Sequence, residues 1–217
     1  MIDLLELIAG RPVARDEAGW RELLVVADRT LSTPLLRDAP GLPAWFRDGV
    51  EQRIAKNVRR RARLIETYCD ASDALRAAGI ELVLLKGFTH EADAGWDPAL
   101  RVQCDIDLLC EAATLPAAER ALYAGGFQFH QGSELSDNHG LPLLKPHQWQ
   151  WNGDYFDPDL PVSVELHHTL WDFERDRIST PGVEDFWNRR EILTVTDMRV
   201  PAFQDADRLA TAALHLL

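Results

Sequence analysis

The chain has 217 residues, 46% apolar and 27% charged, the proportions of an ordinary folded protein and not of a disordered or collagen-like one. Thirty-five acidic side chains outnumber 23 basic ones, for a formal net charge of −12. Because phosphate backbones are bound through lysine and arginine, that balance predicts no extended nucleic-acid surface.

No apolar run approaches the roughly 20 residues of a membrane helix. The N-terminal stretch lacks the basic start of a signal peptide. Three cysteines, Cys69, Cys104 and Cys110, fit a reducing compartment better than a disulfide framework. A cytoplasmic protein without a membrane segment is expected.

The charge is unevenly spread: residues 1–79 hold 13 basic and 12 acidic side chains, and residues 80–217 hold 10 and 23. That asymmetry predicts two parts, an N-terminal helical region over 1–79 and an α/β region over 80–217. Leu4, Leu5, Leu7 and Ile8 form a short apolar stripe, and Trp20, Leu23, Leu24, Ala27 and Leu31 recur at helical spacing. Residues 33–43, with three prolines and Gly41, read as a connection. A long helix is predicted from about Glu51 to Ala78, with Gly79 as its C-terminal cap. Its apolar seam would be Ile54, Val58, Ile65, Tyr68 or Cys69, and Leu75. Arg59, Arg60, Arg61 and Arg63 would form a solvated face, or turn one or two guanidiniums toward an anionic ligand.

After Gly79 the period changes. Residues 80–85, Ile-Glu-Leu-Val-Leu-Leu, make an apolar run of strand length, as for a strand covered on both faces. Lys86-Gly87 follows, and residues 88–92 can open a helix. A strand, a glycine and a helix start form a natural anion site. Residues 101–110 read as a second strand. Alternation places Asp105 and Asp107 on one face, with Cys104, Ile106, Leu108 and Cys110 on the other. Paired carboxylates repel unless a cation lies between them, and Mg²⁺ is a hard ion of the right kind. A solvated pair without an ion explains the motif equally well.

A third strand, 162–167, alternates Val162, Val164 and Leu166 with Ser163, Glu165 and His167. Paired beside the Asp105–Asp107 strand, it would bring Glu165 into a three-carboxylate cluster suited to one or two Mg²⁺ or Mn²⁺ ions. No Cys or His spacing matches a closed zinc site. Trp149 and Trp151 suggest a strand with an aromatic face used for core packing, and 132–146 a loop. Residues 206–217 read as a helix.

The order apolar strand, Lys86-Gly87, short helix, Arg101, Asp105-Ile106-Asp107-Leu108-Leu109, then Glu165-Leu166-His167 resembles the nucleotidyltransferase superfamily. It is most similar to the bacterial group of uncharacterised nucleotidyltransferases. The resemblance implies an α+β fold with N-terminal helices packed on a mixed β-sheet. It further implies Mg²⁺ or Mn²⁺ bound by Asp105, Asp107 and Glu165, an NTP as substrate and an acceptor of unknown identity. By position, Gly87 matches the phosphate-cradling turn glycine. Lys86 and Arg101 are candidates for phosphate charge, and His167 for nucleotide or acceptor contact. Phe88 departs from the serine or glycine common after the turn glycine, so either Thr89 supplies the hydroxyl or nucleotide binding is altered. The other implied reading is a catalytically weak relative that binds or regulates.

Overall fold

The computed structural model describes residues 2–94, 97–130, 140–171 and 181–214, with backbone alone at 92–94. The chain divides into two compact units, one of residues 1–63, 97–103 and 149–160, the other of residues 64–96, 104–148 and 161–217.

The first unit contains α1 (Ile2–Ile8), α2 (Glu17–Arg29) and the first part of α3 (Ala44–Ala77). Helix α2 starts where the Asp16 carboxylate accepts the Gly19 N–H at 2.8 Å. Its Trp20, Leu23 and Ala27 bury against Leu4, Leu7, Leu36, Phe46 and Val50. Leu31, assigned to that stripe from its spacing, lies past the helix end in a left-handed conformation (φ 54°). Thr33–Leu36 is a 3₁₀ turn within the expected connection.

Helix α3 starts at Ala44, not Glu51, because the Pro43 carbonyl already accepts the N–H groups of Phe46 and Arg47. Its buried row is Phe46, Val50, Asn57, Arg60, Leu64, Tyr68, Ala71 and Leu75, at intervals of three, four and seven residues. The expected seam meets this row at Tyr68 and Leu75 and departs from it before them. Val58 is 51% exposed, and the middle of the true row is polar. The expectation of a solvated basic face fails at Arg60, which is fully buried. Its Nε donates to the Gln103 carbonyl at 3.0 Å, and one terminal nitrogen donates to Leu160 at 3.1 Å and Asp157 at 3.3 Å. The Asn57 amide donates to the Ala99 and Arg101 carbonyls at 2.9 and 2.8 Å. Arg63 reaches the Pro158 carbonyl and the Asp159 carboxylate. Helix α3 thus supplies donors to main-chain carbonyls of residues 99–103 and 157–160.

Residues 149–151 are not a strand. The Trp149 indole and the Asn152 amide both donate to Asp157. The Asn152, Asp154 and Asp157 side chains accept the N–H groups of Asp154, Phe156 and Asp159. Such local side-chain bonds compete with a ladder and close the segment into turns. Trp149, Trp151 and Tyr155 meet edge to face, and Trp151 is exposed instead of packing in a core.

The second unit is built on a sheet of β1 (Val83–Leu85), β2 (Asp105–Leu109), β3 (Gln128–Phe129), β4 (Leu143–Leu144) and β5 (Ser163–His167) in the order β1-β2-β5-β4-β3. Only β2 and β5 run parallel, so the sheet is mixed. Strand β4 falls in the stretch expected as a loop, while residues 131–139 of that loop lie outside the described residues. Around the sheet lie α4 (Thr89–Ala94), α5 (Leu115–Ala124), a hairpin of β6 (Arg190–Val195) and β7 (Met198–Phe203), and α6 (Asp205–Leu214). Residues 215–217 of the expected last helix lie outside the described residues.

Alternation gives the sheet two unlike faces. On one, Leu84, Ile106, Leu108, Leu143, Val164 and Leu166 pack with the second half of α3 and with Ala118 and Leu122 of α5 in the main core. Each such burial contributes about 1.5–3 kcal/mol. On the other, Val83, Leu85 and Leu109 join Phe186 and Phe203 in a smaller cluster. Strand β1 is therefore covered on both faces, as its continuous apolar run predicts. Among the described residues no helix is long and apolar enough to cross a membrane.

Candidate metal and nucleotide site

The pairing of β2 with β5 assembles the acids. Asp105 pairs with Ser163, Asp107 with Glu165 and Leu109 with His167. Partners in register point to the same side, so Asp105, Asp107, Glu165 and His167 share the face opposite the main core. Ligand-capable atoms of Asp107, Glu165 and His167 all lie within 4.8 Å of one another. Donors on opposite sides of a Mg²⁺-sized ion stand about 4.2 Å apart, so this trio has the dimensions of a one-ion site. Carboxylates suit Mg²⁺ and Mn²⁺, and the imidazole widens the choice toward softer divalent ions.

Asp105 stands outside that trio although it shares their face. His167 stands inside it, in the place where Asp105 was expected. The signal for His167 was present in the sequence, since it follows Glu165 by two residues on one strand. Its Nε2 lies 2.8 Å from Asp107 Oδ1, a hydrogen bond between side chains that are each 8% exposed. Lys86 Nζ lies 3.4 Å from the other Asp107 oxygen.

These contacts separate the two aspartates electrostatically. Burial pushes both carboxyls up. At Asp107 the His167 hydrogen bond and the Lys86 charge outweigh burial and hold it below the usual carboxylate range. At Asp105 burial, reinforced by the Asp107 charge, prevails and raises it. One acid stays ionised and the other is a stronger base, as in sites where paired carboxylates divide roles.

The Lys86-Gly87 turn leaves β1 beside Asp107, because Leu85 is the residue paired with Asp107. Both turn residues are left-handed, Lys86 at φ 53° and Gly87 at φ 51°. For a non-glycine residue that costs roughly 1–2 kcal/mol, and here the conformation accompanies a lysine held against a carboxylate. Thr89 donates its hydroxyl to the Lys86 carbonyl at 2.8 Å, and its N–H bonds the same oxygen. Phe88 is 1% exposed and packs edge to face on Tyr68 in the main core. The bulky residue after the turn glycine thus points away from the acids. Arg101 belongs to the first unit, where its carbonyl accepts from Asn57.

A family model described as "Uncharacterised nucleotidyltransferase" matches residues 16–217. A candidate nucleotidyltransferase from Thermotoga maritima, solved by crystallography, is similar at 13% identity and a TM-score of 0.43, over 72% of this chain and 86% of that one. No curated protein matches the chain.

Proposed function

The chain belongs to the family of uncharacterised nucleotidyltransferases, and from that premise we propose that it transfers a nucleotidyl group from an NTP to an acceptor hydroxyl, using Mg²⁺ or Mn²⁺. The observation that carries this reading is the approach of Asp107, Glu165 and His167 within 4.8 Å on neighbouring parallel strands. Asp107 and Glu165 would hold the ion, with Asp105 beside them on the same face and His167 either completing the ligand set or fixing the Asp107 carboxylate. A bound divalent ion neutralises charge on the triphosphate and on the leaving pyrophosphate.

The chain's own groups do the rest. Lys86, adjacent to Asp107, offers a positive charge to the phosphates, and Gly87 allows the backbone to approach them. Thr89 secures the turn through Lys86. Asp105, the more basic aspartate, is suited to take the acceptor proton as the acceptor oxygen bonds to the α-phosphorus and the bond to the β-phosphate breaks. Arg101 keeps its proposed phosphate role, subject to the same test.

A second reading is a catalytically weak relative that grips nucleotide, prompted by Phe88 at a position where the superfamily commonly has a small residue, although its ring packs in the main core. A thermal-shift screen of NTPs with Mg²⁺ or Mn²⁺, repeated on Asp105→Ala/Asp107→Ala, tests the proposal. A shift that needs both NTP and metal and vanishes in the variant supports a metal–nucleotide site. Labelled product with any acceptor hydroxyl then separates enzyme from binder. No metal-dependent shift in either protein overturns both readings.

A further inference from the structure

Asn57 and Arg60 are the polar residues in the middle of α3's buried row. They are 2% and 0% exposed, and sealing a guanidinium from water is unfavourable unless its donors are used. Their donors go to main-chain carbonyls of two separate segments. Asn57 holds Ala99 and Arg101, and Arg60 holds Gln103 on the same segment and both Asp157 and Leu160 on the other.

Those segments are the lead-ins to the two acid-bearing strands. Gln103 stands two residues before Asp105, where β2 begins, and Leu160 three residues before Ser163, where β5 begins. One planar guanidinium is bonded to both lead-ins. Its fixed fork can hold two segments at a set separation, which the single ammonium of a lysine cannot reproduce.

We propose that Arg60, seconded by Asn57, is a positioning residue: it fixes how β2 and β5 enter their pairing, and through it the separation of Asp107 from Glu165. Each strand has five residues, and a slip of one in either would send that strand's acids to the core face. An anchor just ahead of both strands guards against that. The anchor acts on carbonyls, so it does not depend on the side chains of Gln103, Asp157 or Leu160. The functional consequence rests on the metal reading proposed above; the tie itself does not.

The test uses the full chain with Arg60→Lys, Arg60→Met and Asn57→Ala, amide hydrogen exchange, and Mn²⁺ titration followed by electron paramagnetic resonance. Arg60→Lys keeps the charge and loses the fork. Its amides at 105–109 and 163–167 are expected to exchange faster while those of α5 do not, and Mn²⁺ affinity is expected to fall about 10-fold, the scale of lost ligand-orienting contacts. Arg60→Met should do the same more strongly. Should it fail to fold, Arg60→Lys and Asn57→Ala carry the test. Wild-type exchange and Mn²⁺ affinity in those folded variants overturns the proposal. So does faster exchange spread evenly through α5, which marks general structural support. If the wild type binds no Mn²⁺, the metal reading fails, and the contrast in exchange alone decides the tie.

Discussion

The two faces of the β2–β5 pair differ by one residue of register and in almost everything else. Ile106, Leu108, Val164 and Leu166 are at most 1% exposed and hold the sheet to α3 and α5. Asp105, Asp107, Glu165 and His167, interleaved with them, bring together groups that repel or resist desolvation. The first face stabilises the fold, and part of that stability offsets the second. Stability and chemistry can therefore be disturbed separately, by changing neighbouring residues.

The largest separation is expected from Asp107→Asn, which keeps the shape and removes the charge. Metal-dependent transfer should fall by at least about 10³-fold, equivalent to about 4 kcal/mol of barrier. Urea denaturation should show stability changed by no more than about 1–2 kcal/mol. A parallel collapse of stability would mean that the acidic face also holds the fold. Phe88→Ser reverses the pattern. It gives the turn the small residue common in the superfamily but empties a buried aromatic site, at a cost of about 3–5 kcal/mol. Calorimetric titration should show no gain in NTP affinity for the folded variant; a gain would mean that Phe88 obstructs the turn.

Leu108→Ala, next to Asp107 but on the opposite face, should cost about 2–5 kcal/mol in urea and leave Mn²⁺ affinity of the folded protein unchanged. The smallest effect at neutral pH is expected from Tyr68→Phe. The Tyr68 hydroxyl is buried on the apolar side without a hydrogen-bond partner among the described residues, so its removal should change stability by less than about 1 kcal/mol. Burial pushes its pKa up to about 12. Below its ordinary value near 10 both folded and unfolded states keep the proton. As pH rises from 10 to 12 the unfolded state loses it first, so up to about 2–3 kcal/mol of stability should drain away there. Urea melts of Tyr68→Phe should lack that alkaline slope.

The acidic face was largely legible in the sequence because strand alternation is a strict rule. Asp105 with Asp107, and Glu165 with His167, follow from the two-residue period, and the fold class follows from the strand and helix patterns with the motif order. What the sequence left open was the pairing of β2 with β5, a long-range contact that no local pattern encodes. That pairing also brings His167 against Asp107, a contact that the strand pattern alone does not reveal. Helix α3 was misread for a different reason. Helical periodicity finds a buried row by its apolar residues, and this row carries Asn57 and Arg60 where main-chain carbonyls, not side chains, are the neighbours. Trp149 and Trp151 misled likewise, because local bonds from Asn152, Asp154 and Asp157 override alternation.

On this reading the face carrying Asp107 and Glu165 binds a divalent ion. Mn²⁺ titration of the wild type and of Asp107→Asn, followed by electron paramagnetic resonance with circular dichroism to verify folding, tests it most directly. Saturable binding by the wild type, tightened by NTP, is expected, with at least a 100-fold loss in a folded variant, about 2.7 kcal/mol. Equal binding by both proteins, or none by the wild type with NTP present, would contradict it.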